Sequence, residues 1–167
     1  MKKLIYLILI ALFSLMAAAC ARAAPQNVPG MINPGDRVGD FLITADSGED
    51  VVLMTNIHCP YEETTETCER PVGTKVNVAN GIYGDLSDDK VLEKIWKKQT
   101  YEMTIEGRPV NLPAFGFVEF EHPVVGTVRV WNVVVTSDRP GVISAHSSGE
   151  VDGEPLEYTA VVKFSAP

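Results

Sequence analysis

GTVRVWNVVV, Gly126 to Val135, is the most apolar strand-forming run in the chain. Its β-branched valines favour extended backbone. Alternation puts Val128, Val130 and Val134 on one face and Trp131, Val133 and Val135 on the other. A strand apolar on both faces belongs at the centre of a sheet that is covered on both sides.

YEMTIEG, residues 101–107, alternates cleanly, with Tyr101, Met103 and Ile105 on one face and Glu102, Thr104 and Glu106 on the other. IEGRPV (105–110) then repeats the design of VDGEPL (151–156): apolar, acid, Gly, polar, Pro, apolar. Both predict tight hairpin turns, because Gly supplies positive φ and the following Pro, lacking an N–H, suits a strand edge. VISAHS (142–147) and LEYTAVVKF (156–164) are the strands around the second turn, the latter with Tyr158, Ala160, Val162 and Phe164 facing one way. SDRPG (137–141) is a turn. Upstream, RVGDFLIT (37–44) and DVVLMTNI (50–57) flank the turn cluster ADSGE and predict a first hairpin, and KVNVA (75–79) adds a strand.

One helix is expected over about 88–98, with Ser87 as N-cap, Asp88 and Asp89 at its positive end, and Lys97 and Lys98 at its negative end. Val91, Leu92, Ile95 and Trp96 form its apolar stripe. The expected fold is all-β, an antiparallel β-sandwich of about eight to ten short strands. In layout, residues 37–167 resemble the immunoglobulin-like β-sandwiches of bacterial surface proteins. They lack the Cys-Trp-Cys spacing of true immunoglobulin domains, and the resemblance implies no particular activity.

The N-terminus reads as an address. Lys2 and Lys3 precede an apolar run from Leu4 to Met16, and small residues follow, which is the layout of a secretory signal. The run is shorter than the roughly 20 residues that span a bilayer. Ala17-Ala18-Ala19-Cys20 resembles the lipobox of bacterial lipoproteins, and that resemblance implies cleavage after residue 19 and lipidation (palmitate) of Cys20. Ala21-Arg22-Ala23 offers a competing cleavage site and a secreted product. Residues 20–36, rich in proline and glycine, are expected to be a flexible tether to a domain spanning 37–167.

The whole chain carries a net charge of -8, and loss of residues 1–19 removes Lys2 and Lys3 from its 14 cationic side chains, leaving 12 against 22 acidic ones. Nucleic acid is an unsuitable partner, because phosphate binding needs clustered Lys and Arg. With Cys20 lipidated or removed, Cys59 and Cys68 remain as a pair in an oxidising compartment, and a disulfide is expected. The surrounding stretch HCPYEETTETC, His58 to Cys68, has neither the short Cys spacing of a zinc knuckle nor the C-x-x-C of a thioredoxin site. It reads as a stapled acidic loop, and Tyr61, Glu62, Glu63 and Glu66 in it are the expected binding residues, suited to a cationic partner.

No Gly-rich phosphate loop, metalloprotease motif or nucleophile elbow is present. His146 beside Ser147 makes no dyad, since neighbours on a strand point to opposite faces. Trp131 is expected in the core and Trp96 at the contact of helix and sheet. The functional expectation is a non-catalytic extracytoplasmic module, membrane-anchored at the cell surface or in the periplasm. It would bind an envelope protein or glycan and use no metal or cofactor. The alternative is an extracytoplasmic hydrolase or metal-dependent enzyme built on His58, His122 and His146.

Overall fold

The computed structural model describes residues 26–54, 59–83, 89–122 and 126–166. The expected signal peptide, Cys20, His58 and the Ser87 cap lie outside them. Strands β1 (Arg37–Val38), β2 (Phe41–Thr44), β3 (Val51–Leu53), β4 (Tyr61–Glu62), β5 (Thr65–Pro71), β6 (Lys75–Asn77) and β7 (Gly81–Tyr83) precede helix α1 (Asp89–Lys98). Strands β8 (Thr100–Ile105) and β9 (Arg108–Pro109) lead to the one-turn helix α2 (Leu112–Phe115). Then come β10 (Phe117–His122), β11 (Gly126–Trp131), β12 (Val134–Ser137), β13 (Gly141–Val151) and β14 (Glu154–Ser165). The described fold is mostly β.

The two glycine turns organise the largest sheet, of order β4-β5-β14-β13-β8-β9. Glu106 and Gly107 (φ 50° and 73°) join β8 to β9, and Asp152 and Gly153 (φ 51° and 87°) join β13 to β14. Positive φ at both central positions is the two-residue hairpin turn whose twist matches that of the strands. Pro109 sits on the edge strand β9, and Pro155 lies beyond the stretch of β14 that pairs with β5, so neither removes a ladder bond from a strand paired on both sides.

Strand β5 was not among the expected strands. It runs parallel to β14, from Thr65 opposite Thr159 to Pro71 opposite Ser165. Its inward positions are held by Glu66 and Cys68, 7% and 1% exposed, so the alternation that marks a strand was hidden by a carboxylate on the buried face. HCPYEETTETC is thus in large part a β-hairpin rather than a solvated loop.

A second sheet has the order β1-β2-β12-β6-β3. The expected hairpin between 37–44 and 50–57 does not form: β2 pairs with β1 and β12, and β3 pairs in parallel with β6. The turn cluster between them is drawn to β6 instead, where Lys75 Nζ lies 2.5 Å from Asp46 and 2.9 Å from Asp50. With two parallel pairs, the arrangement is not wholly antiparallel.

The run 126–135 is also divided. Its first part, β11, is the middle strand of a three-stranded sheet, β10-β11-β7, and its second part, β12, belongs to the five-stranded sheet. The change of sheet falls at Asn132 and Val133 and is held by hydrogen bonds on both sides. Asn132 N–H donates to the Gly116 carbonyl, the Val133 carbonyl accepts from Val78 N–H, and Asn77 Nδ2 donates to the Trp131 carbonyl at 3.0 Å. Both parts are buried, so apolar content alone could not mark the break.

One hydrophobic core draws on the inward faces of the two larger sheets: Ile43, Val76 and Val135 from the five-stranded sheet, and Met103, Ile143, Ala160, Val162 and Phe164 from the six-stranded one. Phe41 and Phe164 meet across it with ring centroids 5.9 Å apart. Helix α1 follows its predicted stripe, with Leu92 1% exposed, although Val91 faces solvent at 40%. Tyr101, on β8, lies between Asn80 N–H and Ser147 Oγ, and burial pushes its phenol pKa up to about 12.

The described part of the expected tether is seated on this core. Ile32 is fully buried and bridges to Val110. Asn33 bonds Val28 N–H, and its Oδ1 accepts from Asn111 Nδ2 at 2.9 Å. Ile32 and Asn33 are thus packed against the sheets, while residues 26–30 are exposed.

Candidate functional site

Helix α1 and the β10–β11 hairpin enclose a groove of about 940 Å³. Lys94, Lys97 and Lys98 stand on the helix side, Glu119, Glu121 and Thr127 on the strand side, and Arg129 lies in the groove with Leu92 and Phe120. The alternation of FVEFEH puts Glu119 and Glu121 on the same face of β10, and the ladder pairs them with Arg129 and Thr127 of β11. Strand β7 comes close behind: a Cβ on Gly81 would run into the carbonyl oxygen of Arg129, so only glycine allows that approach.

Arg129 is the electrostatic centre of the groove. Its side chain is 8% exposed and pairs with Glu119, which it meets through Nε at 2.6 Å and also through Nη2, and with Glu93, which it meets through Nη1 at 2.8 Å. Its guanidinium carbon also lies 4.5 Å from the Phe117 ring centre and 5.3 Å from that of Trp96. Burial opposes the charge, but the hydrogen bonds to Glu93 and Glu119 outweigh it and raise the pKa. Glu93 is held below its ordinary range by Arg129 and then by Lys97, the latter 3.0 Å away one helical turn on. Trp96 docks the helix, its ring 4.8 Å from Trp131 and 5.2 Å from Phe117. Arg129 was not among the expected site residues, and a lone charge between Val128 and Val130 was its signal.

The second constellation surrounds the cysteines. Cys59 and Cys68 are bridged, with Cα atoms 5.2 Å apart. Tyr158 donates a hydrogen bond to Glu66 Oε2 at 2.7 Å, and Arg70 Nη2 lies 3.7 Å from Cys59 Sγ. Glu66 was expected on the exposed acidic surface, yet it is 7% exposed. Its alternation with Thr65 and Thr67 turns it inward. Burial raises its pKa, against the hydrogen bond from Tyr158 and the charge of Arg70. Glu62 and Glu63 remain exposed at the hairpin tip, and the Tyr61 side chain lies outside the described residues.

Comparison with protein families, curated proteins and solved structures finds no match for this chain. Among the histidines, the His58 residue and the His122 side chain lie outside the described residues, while His146 Nδ1 lies 3.1 Å from Thr159 Oγ1 on the adjacent strand. Ser147 turns the other way, fully buried, and accepts the Tyr101 hydroxyl at 2.7 Å.

Proposed function

We propose that this chain is an exported, non-catalytic module of the cell envelope, tethered through a lipid on Cys20, that binds an envelope protein or glycan. Its two larger sheets would face each other as an immunoglobulin-like β-sandwich, a layering supported by the single core to which both contribute. The observation that carries the binding role is the groove between α1 and β10–β11. A concave site with an apolar base and a few convergent polar groups is the usual form of a ligand site. Here Lys94, Lys97, Lys98 and Glu93 stand on the helix side and Glu119 and Glu121 on the strand side, so a ligand with hydrogen-bonding groups along both edges fits, and its binding would weaken with salt.

The hairpin tip with Glu62 and Glu63 is the secondary surface and the one suited to a cationic group. The hydrolase alternative rests on His58, His122 and His146, and of these only the His146 side chain is described, bonded to Thr159 across a strand pair. Cells fed a palmitate analogue should yield labelled protein in the envelope fraction, and Cys20→Ala should abolish the label. Recovery of unlabelled protein from the cytoplasmic fraction would overturn the proposal.

A further inference from the structure

Glu66 is costly where it stands. A carboxylate on the core side of a strand, here 7% exposed, is disfavoured unless something nearby uses it. A carboxylate oxygen of Glu66 and the sulfurs of Cys59 and Cys68 all lie within 4.8 Å of one another. Two thiolates on a tetrahedral zinc ion, each about 2.3 Å away, stand about 3.8 Å apart, so once the sulfur–sulfur bond opens the two cysteine side chains must spread around the ion while Glu66 stays within reach of both. Tyr158 already orients the carboxylate through its hydroxyl, as the outer partner of a ligand does. Cys59 is half-buried and Cys68 is 1% exposed, and Arg70 Nη2, 3.7 Å from Cys59 Sγ, is the cation that a bound metal would displace.

We propose that the dithiol form of the chain binds a thiophilic divalent cation, zinc foremost, through Cys59, Cys68 and Glu66. The staple and the metal site are then two states of the same residues. A dithiol reductant delivers two electrons and two protons to the bridge, giving two thiols and a cyclic disulfide of the reductant. Zinc then displaces the two thiol protons, together with the Glu66 proton where the carboxyl is protonated. Two soft sulfurs and one oxygen favour zinc over calcium or magnesium. Such a site would hold the chain before oxidation, or under reducing conditions in the envelope.

The test uses the whole protein, reduced anaerobically with dithiothreitol, freed of reductant, and titrated with zinc against a chromogenic chelator. The oxidised protein should bind none and the reduced protein one equivalent. Glu66→Gln, which keeps both thiols and an acceptor for Tyr158, should weaken binding at least tenfold. Reduced protein that takes up no zinc, or a Glu66→Gln variant that binds as tightly as the native chain, overturns the proposal. If reduction removes the β circular-dichroism signal, added zinc should restore it, and failure to do so counts against the proposal as well.

Discussion

Arg129→Ala is expected to lower stability by about 3 kcal/mol in urea denaturation. The side chain is 8% exposed, so its removal leaves a void beside Trp96 and Phe117 and deprives Glu93 and Glu119 of their shared cation. Removing one partner of a buried pair costs about 3 to 5 kcal/mol when the other stays buried. Here the two carboxylates are 45% and 42% exposed and regain water, which lowers that figure, while lost cation–π contact adds about 0.5 to 1 kcal/mol. Arg129→Met keeps much of the packing and should lose less. A loss under about 1 kcal/mol for the alanine variant would mean that the arginine does not join helix to hairpin.

The double change Cys59→Ser, Cys68→Ser should cost about 3 kcal/mol. Closing a loop of about ten residues stabilises by roughly 2.5 to 3 kcal/mol through the entropy of the unfolded chain. A serine hydroxyl at the buried position 68 adds up to about 1 kcal/mol if it finds no partner. Native protein should show no thiol reactive to a titrating reagent among Cys59 and Cys68. Two reactive thiols in air-exposed protein, or a variant as stable as the native chain, would contradict the staple.

The parts legible in sequence were those in which local pattern and tertiary placement agree. Tyr101, Met103 and Ile105 alternate because β8 has one wet face. The Glu106-Gly107 and Asp152-Gly153 turns announce themselves because positive φ needs such residues. Helix α1 was legible from its stripe and terminal lysines. Where pattern and placement part, nothing local marks the structure. The sheet change at Asn132 and Val133 is invisible because both sides of it are buried, and the hydrogen bonds that hold it come from Gly116, Asn77 and Val78, far away in sequence.

The candidate site was the harder part for the same reason. Glu66 read as surface because carboxylates usually are, yet its place on β5 faces Tyr158. Arg129 draws its partners from α1 and β10, and nothing local to β11 forecasts that Glu93 and Glu119 will meet it. Ionic clusters assembled from three elements leave no spacing to read. The packing of Ile32 and Asn33 likewise depends on Asn33 finding Asn111, 78 positions away.

The groove as the binding surface is tested most directly by capture from solubilised envelope on immobilised protein. Three proteins are compared: the native chain, the groove variant Lys94→Glu with Lys97→Glu, and the hairpin-tip variant Glu62→Lys with Glu63→Lys. Each is first checked for native circular dichroism. The native chain and the tip variant should retain the same component, released by raised salt, and the groove variant should retain at least tenfold less of it. Equal capture by the groove variant, loss only in the tip variant, or no capture by the native chain would contradict the account.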